Sequence, residues 1–421
     1  MYQLSFDDPG SQVSLFASAS SVAKAGLTGI LTAMRESQIV IPSLAELQTH
    51  RSEKWRGFPH DVLPLPVAEM DFPVADPIRE VLLDMVNTSD LGYLGSIPEL
   101  GTSFAGFAKR RWDWSVNPLH VRVATDVGVA VVELLRVFTK PGDKVLFSSP
   151  IYQNFYTWMR ETEVAMVDVP FKLDTESSDH TGWSHDWAGI EAAYKSGIVV
   201  HLLCSPHNPL GKVYTREDLL RIAELAKRYG VVVISDEIHA PLTYKEQPFI
   251  PFLALGDAAA EVGVAVSAAS KGWNIAGLKC AIIISQSEKM HEKLNELPPA
   301  LHYRASLLGA FATVAAFEKG EPWLNQALEI LDENRHLIAN LISSRIPSVK
   351  YAMPHCSYLA WLDVSALNLG EDPGAALIAK AKVAFNSGHI YGALGKSHVR
   401  FNFATSPAII TEAIERIARV L

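Results

Sequence analysis

Residues 198–212 read IVVHLLCSPHNPLGK, and two later stretches, 231–239 and 262–274, read VVVISDEIH and VGVAVSAASKGWN. Each is a short apolar run that ends in polar residues. Apolar runs that are continuous rather than alternating are typical of parallel strands whose two faces are both covered by helices. The three stretches therefore predict neighbouring strands of one buried parallel sheet.

The same pattern continues on both sides of these stretches. Strands are predicted, in chain order, at Lys144–Ser148, Val164–Val169, Ile198–Cys204, Val231–Ser235, Val262–Ser267 and Cys280–Ile284. A helix is predicted after Thr215, because Thr215 and Asp218 stand in capping-box positions and Gly230 can end the helix. Strands and helices in alternation indicate an α/β layered fold.

The chain has 421 residues, which favours two domains over a single core. After about residue 318 the pattern changes to a long helix (Glu321–Leu341), short strands and a final helix. We predict a large α/β domain with a mainly parallel sheet over 85–318. A smaller α+β domain is predicted over 41–84 plus 319–421, and a poorly ordered arm over 1–40.

Charge and cysteine content limit the functions that the chain can have. It carries 37 Lys and Arg against 46 Asp and Glu, a net charge of −9, so no basic field is available for nucleic acid. Cys204, Cys280 and Cys356 lie far apart, without the spacing of a zinc site or a disulfide framework. We therefore expect no metal and a reducing, cytoplasmic location. The sequence contains no run of about 18 uncharged apolar residues, so no membrane span is predicted.

Polar side chains follow four of the predicted strands where each strand ends: Tyr152, Asn208, Asp236 and Lys271. Ligands of parallel α/β sheets bind beyond the carboxyl ends of the strands, so we expect these groups to meet. An amine can form an imine with an aldehyde, and a carboxylate can keep a pyridine nitrogen protonated. An amide suits a ring oxygen, and a phenol ring can stack on the pyridine. Together the four groups predict a site for pyridoxal 5′-phosphate (PLP).

The phosphate of such a cofactor needs donors of its own. Residues 124–138, ATDVGVAVVELLRVF, resemble a loop that enters a helix at Asp126 or Val127. Free N–H groups of Val127 and Gly128 at that helix terminus would favour a phosphate. Hydroxyl and ammonium donors could come from Ser267, Ser270 and Lys279.

Taken singly, these residues also have structural explanations. Asp236 could be only a helix cap, and Tyr152 only part of the core. The NPLG motif, which begins at Asn208, could be only a turn. Their occurrence together, each at the end of a strand, favours the chemical interpretation.

The ordered motifs SPHNPLGKV, ISDEIH and SKGWNIAGLK resemble the PLP-dependent class I/II aminotransferase superfamily of fold type I, over about residues 40–421. DEIH, SKGWN, LGYLGS, YLAWLD and VRFNFA are similar to its cystathionine β-lyase (C–S lyase) branch, the MalY/PatB type. The resemblance implies an aspartate-aminotransferase-like fold, an amino-acid substrate and a homodimer with shared active sites. It also implies that Lys271 carries PLP as an imine, Asp236 pairs with the ring nitrogen, Asn208 bonds the ring hydroxyl and Tyr152 stacks on the ring.

Three further roles follow from the resemblance. Arg400 in VRFN matches the arginine that binds the substrate α-carboxylate, a task suited to a guanidinium fork. Tyr93 matches a tyrosine that reaches the PLP phosphate of the neighbouring subunit. His239 occupies the position where related aminotransferases hold a tyrosine beside the ring hydroxyl. The chain departs from the family at Ala268, usually Ser or Thr, and at Lys279, often an arginine.

The function implied by the branch is β-elimination from an amino acid with a sulfur leaving group, which gives pyruvate, ammonia and a thiol. An aminotransferase is the alternative, because both reactions share every step up to loss of the Cα proton. A PLP-binding regulatory protein is a further alternative, which the intact Lys271, Asp236 and Arg400 disfavour. The sequence does not identify the thioether.

Overall fold

The computed structural model describes residues 38–173 and 182–420, and a seven-stranded sheet organises this part of the chain. In chain order the strands are β1 (Leu63–Pro64), β2 (Val121–Ala124), β3 (Lys144–Phe147), β4 (Ala165–Asp168), β5 (Lys172–Leu173), β6 (Trp183–Ser184), β7 (Ile198–Cys204), β8 (Val232–Asp236), β9 (Gly263–Ser267), β10 (Ala281–Ile284), β11 (Lys350–Tyr351), β12 (Leu359–Asp363), β13 (Val383–Ala384), β14 (Asn386–Ser387) and β15 (His398–Asn402).

Helices precede and follow most of these strands. They are α1 (Leu44–Leu47), α2 (Glu53–Arg56), α3 (Asp76–Asn87), α4 (Pro98–Trp112), α5 (Val127–Phe138), α6 (Asn154–Glu161), α7 (Trp187–Lys195), α8 (Arg216–Tyr229), α9 (Asp257–Val262), α10 (Ala269–Gly272), α11 (Glu288–Lys293), α12 (Ala300–Tyr303), α13 (Leu307–Lys319), α14 (Glu321–Arg345), α15 (Pro373–Ala381) and α16 (Pro407–Ala418). None of the helices described is long and apolar enough to cross a membrane.

The central sheet has the order β2-β10-β9-β8-β7-β3-β4. Its strands from β9 to β4 are parallel, whereas β10 is antiparallel to both of its neighbours. An antiparallel four-stranded sheet has the order β11-β12-β15-β14. The short pairs are β1 with β13, parallel, and β5 with β6, antiparallel.

Alternating side chains of the central strands lie in two separate hydrophobic clusters. Val200 and Leu202 of β7 belong to the cluster that contains α5, whereas Leu203 belongs to the cluster that contains α8. Successive residues of a strand point to opposite faces of the sheet, so both faces are covered by helices. This burial explains why the strands have continuous apolar sequences.

The structure confirms the α/β class and the strands predicted in this sheet, each within one residue at either end. The helix after Thr215 is confirmed as α8, with Thr215 and Asp218 in a capping box and Gly230 at its end with φ of +70°. The long helix from Glu321 extends four residues beyond the predicted end, to Arg345. Strand β2 was not predicted. The predicted arm falls mostly on residues 1–37, outside the described residues, and the two-domain division stays a prediction.

Candidate active site

A cavity of about 740 Å³ opens at the carboxyl ends of the parallel strands. Its wall contains most of the residues that the sequence predicted for a site: Val127, Gly128, Tyr152, Asn208, Asp236, His239, Ser270, Lys271, Lys279 and Arg400. Ser267 is buried outside this wall, where its hydroxyl lies 3.5 Å from the carbonyl oxygen of Glu237. Tyr93 is 95% exposed and does not line the cavity of its own chain.

Lys271 lies in the short helix α10, directly after β9. Its Nζ donates a hydrogen bond of 2.8 Å to the carbonyl oxygen of Ala68. Burial, and then the positive charge of Arg400, lower the pKa of Lys271 to about 8. The amine is therefore neutral far more often at pH 7 than an exposed lysine, as a nucleophile or base requires.

Asp236 ends β8 and is buried. Its Oδ1 accepts a hydrogen bond of 3.2 Å from the N–H of Ile238. Burial raises the pKa of Asp236 to about 7, because this one donor offsets little of the lost hydration. A protonated ring nitrogen would supply the missing positive partner, so the carboxyl fits a pyridine-based cofactor.

Arg400 lies in β15 and is only 2% exposed. Its Nη1 donates to Oδ1 of Asn208 at 3.1 Å, and its Nη2 donates to the carbonyl oxygen of Pro66 at 2.9 Å. Its Nε is buried and has no hydrogen-bond partner among the described residues. No carboxylate neutralises this buried cation within the part of the chain described, so the arrangement suits an anionic ligand such as an α-carboxylate.

The N-terminus of α5 forms a candidate anion site on the wall of the cavity. Asp126 caps this helix, since its Oδ1 accepts from the N–H of Val129 at 2.8 Å. Its Oδ2 lies 3.1 Å from Nζ of Lys279. Both oxygens of this carboxylate thus have partners. The N–H groups of the first turn, at Val127 and Gly128, have no acceptor within the helix.

Thr125 is a residue of this anion site that the sequence analysis missed. Its Oγ1 is buried without a hydrogen-bond partner among the described residues, and it lines the cavity. An unpaired hydroxyl, free N–H groups and the Lys279 ammonium together fit a phosphate. Gly128 has a second reason to be glycine, because a Cβ there would lie 2.9 Å from Nε1 of Trp158. Thr125 could have been found as the polar residue after β2, had that strand been predicted.

Tyr152 and His239 also line the cavity. The N–H of Tyr152 donates to the carbonyl oxygen of Asn208 at 3.0 Å, and its hydroxyl accepts from Nδ2 of Asn154 at 2.9 Å. Burial, then the charges of Lys271 and Arg400, lower the pKa of His239 to about 3, so the ring is neutral. Its Nδ1 has no partner among the described residues and can bond a ligand.

Residues 66–71, PVAEMD, are here called the strap, and two asparagines hold them. Asn274 accepts from the N–H of Met70 and donates to its carbonyl oxygen, both at 2.8 Å. Nδ2 of Asn402 donates to the carbonyl oxygens of Val67 and Glu69, at 2.5 and 2.6 Å. The strap therefore presents the Ala68 carbonyl to Lys271 from a fixed backbone. This role of the strap was not predicted from the sequence.

The chain matches known proteins over most of its length. The family model described as aminotransferase class I and II matches residues 60–417. A cystathionine β-lyase of Corynebacterium glutamicum is 33% identical, over 90% of this chain and 99% of that protein. Cystathionine β-lyase PatB of Bacillus subtilis is 32% identical, over 86% of this chain and 93% of that protein.

A solved structure extends the likeness to three dimensions. Cystalysin from Treponema denticola, whose crystal structure contains PLP, matches with a TM-score of 0.84 and 26% identity, covering 92% of this chain and 99% of cystalysin. The chain belongs to the class I and II aminotransferase family.

Proposed function

We propose that this protein is a PLP-dependent carbon–sulfur β-lyase, which converts an amino acid with sulfur on Cβ into pyruvate, ammonia and a thiol. One observation carries the cofactor assignment: the Lys271 amine, the Asp236 carboxyl and the Arg400 guanidinium lie on the wall of one cavity. The choice of β-elimination over transamination is supported by relatives named cystathionine β-lyase at 32–33% identity.

PLP, when bound, supplies an aldehyde that takes up the substrate amine and a protonated ring that holds the electron pair released at Cα. Asp236 keeps the proton on the ring nitrogen. Arg400 binds the α-carboxylate, which fixes the Cα–H bond relative to Lys271. The freed, neutral amine of Lys271 removes the Cα proton, and the thiolate departs from Cβ with its bonding electrons. Water then hydrolyses the released 2-aminoacrylate to pyruvate and ammonia.

The remaining cavity residues would hold the cofactor in place. The N–H groups at the start of α5, the hydroxyls of Thr125 and Ser270 and the ammonium of Lys279 would bind the phosphate. Asn208 and the neutral His239 would face the ring hydroxyl, and the ring of Tyr152 would stack on the pyridine.

The proposal extends to assembly, domains and location. We propose a homodimer in which Tyr93, fully exposed on its own chain, binds the phosphate of the partner's cofactor. The large domain (85–318) and the small domain (41–84 plus 319–421) are retained as proposed units. A cytoplasmic location is supported by Cys204, Cys280 and Cys356, which are free thiols buried in the fold.

A product assay tests the function. Purified protein with PLP and L-cystathionine should release pyruvate, and the Lys271→Ala variant should lose nearly all turnover while it stays folded. The same assay with a keto-acid acceptor measures transamination. New amino acid in place of pyruvate would make the protein an aminotransferase, and absence of both products would leave a binding protein. Full activity of Lys271→Ala would remove the assignment altogether.

A further inference from the structure

The Ala68 carbonyl of the strap lines the cavity and accepts hydrogen bonds from two side chains. One comes from Nζ of Lys271 at 2.8 Å, and the other comes from the hydroxyl of Tyr358 at 3.0 Å. These two groups are its only donors among the described residues. The proposed chemistry gives a role to the lysine and none to the tyrosine.

Tyr358 is held firmly in the position from which it donates. It lies directly before β12 and is fully buried. Its own carbonyl oxygen accepts from the N–H of Phe403, just after β15, at 2.9 Å. Burial raises the pKa of its hydroxyl, which therefore keeps its proton. The Ala68 carbonyl thus has one fixed donor, from a segment that is distant in sequence from Lys271.

The Ala68 carbonyl differs from its neighbours in the strap by the kind of donor that it has. Four other strap carbonyls accept from side chains that undergo no covalent change: Pro66 from Arg400 and Asn386, Val67 and Glu69 from Asn402, and Met70 from Asn274. Of these five carbonyls, only that of Ala68 accepts from a group that forms a covalent bond in the proposed reaction.

A covalent bond between Lys271 and an aldehyde removes its amine as a donor. In this condensation both hydrogens of the neutral amine leave with the aldehyde oxygen as water, and nitrogen and carbon form a double bond. A proton regained by the nitrogen is shared with the ring oxygen beside it. The Ala68 carbonyl then loses the lysine, while the ligand that fills the cavity excludes water. A carbonyl without any donor in such a place is costly.

We infer that Tyr358 is a positioning residue for Lys271: its hydroxyl keeps the Ala68 carbonyl paired while the lysine is bound to the cofactor. The inference rests on the proposed role of Lys271 as the lysine that carries PLP. Because the carbonyl stays in place, it can accept from the amine again when the substrate frees it. Tyr358 touches neither substrate nor cofactor and acts through Ala68 alone.

Two ligands of the same shape test this role. PLP condenses with Lys271, whereas pyridoxamine 5′-phosphate carries an amine in place of the aldehyde and leaves Lys271 on the Ala68 carbonyl. Titration of the cofactor-free protein, followed by tryptophan fluorescence, gives a Kd for each ligand. Tyr358→Phe keeps the ring and removes only the hydroxyl. The ratio of the PLP Kd to the pyridoxamine 5′-phosphate Kd should rise about tenfold, because only PLP leaves the carbonyl without a donor.

Tyr244→Phe is the matched control, because Tyr244 is also buried and its hydroxyl donates to the carbonyl oxygen of Ser357 at 2.7 Å, outside the cavity wall. This variant should keep the wild-type ratio of the two Kd values. An unchanged ratio in Tyr358→Phe, or the same rise in both variants, would overturn the positioning role and leave the lyase proposal intact. Borohydride reduction of the wild-type protein with PLP should fix the cofactor to Lys271. If it does not, the proposed function fails and the inference fails with it.

Discussion

The Asp236 carboxyl titrates differently in the folded and unfolded chains, and this difference has a consequence for stability. Burial raises its pKa to about 7 in the folded protein, whereas an aspartate of an unfolded chain titrates near pH 3.9. Between these values the folded state holds a proton that the unfolded state has released. Stability of the cofactor-free protein therefore falls as the pH rises through this window and stays low above it.

Replacing Asp236 by asparagine should remove this loss, because the amide keeps an acceptor for the Ile238 N–H and carries no charge. The variant without cofactor should match the wild type near pH 4 and gain at most about 1.4 kcal/mol per pH unit, up to about pH 7. Urea unfolding of both proteins at several pH values measures the difference. Groups that do not interact with Asp236 cancel in that difference, whereas Glu237, whose pKa is raised to about 8 by burial with a contribution from the Asp236 charge, adds to it.

With PLP bound, the same variant should be slower by at least about 10²-fold, because an amide cannot hold the charge of the ring nitrogen. Greater stability of the empty protein and lower activity of the loaded one would identify a catalytic group. A stability difference that does not change with pH, together with an unchanged rate, would mean that Asp236 is only a helix cap.

Individual residues could be predicted where their position in the sheet decides their role. Asn208, Asp236 and Lys271 follow recognisable strands, so parallel strand order alone brings them together. Thr125 matters because its Oγ1 has no hydrogen-bond partner among the described residues. That property depends on residues distant in sequence, and local patterns carry no signal for it.

At the level of elements, a continuous apolar sequence decided which strands could be predicted. β7 and its parallel neighbours are continuous apolar runs, because helices cover both faces. β2 is a four-residue strand, VRVA, paired with β10 alone, and its first two residues are partly exposed. Arg122 interrupts its apolar pattern, which is why its sequence resembles a loop. The strap has no regular pattern at all, since side chains rather than a strand partner satisfy most of its carbonyls.

The strap is an element whose position depends on Asn274, and this dependence can be measured. Asn274 has a φ of +57°, so replacement by glycine removes the side chain without straining the backbone. Loss of its two hydrogen bonds to Met70 should lower the free energy of unfolding by about 1–3 kcal/mol. It should also lower kcat with substrate, because the Ala68 carbonyl then no longer holds the Lys271 amine in one place.

Asn368→Gly is the matched control for this prediction. Asn368 also has a positive φ, of +49°, and its exposed side chain makes no hydrogen bond among the described residues. Urea unfolding of both variants separates the general effect of glycine from the loss of the two bonds. Equal stability changes in the two variants, with turnover intact, would contradict a positioning role for the strap.

At the scale of the whole molecule, one chain does not bring together every residue proposed for the active site. Within the described residues, the cavity contains the predicted amine, carboxyl and guanidinium, but Tyr93 lies outside it. Tyr93 stands between Gly92 and Gly95, in a segment without regular structure. Its side chain is 95% exposed and so buries almost no apolar surface against its own chain. Both facts support a contact with a second copy, which the sequence could indicate only through family resemblance.

Mixing two defective proteins tests this shared site. Tyr93→Phe should weaken PLP binding by about 1–2 kcal/mol, the scale of a hydrogen bond to a charged group. Lys271→Ala should abolish turnover. In a heterodimer of the two variants, a shared arrangement places Lys271 of one chain beside Tyr93 of the other, and this site is intact. The second site then carries both defects. Refolded mixtures should therefore contain functional sites with nearly native PLP affinity, measured by titration of activity with PLP. If every active site in the mixture keeps the weakened affinity, Tyr93 acts within its own chain and the shared site is wrong.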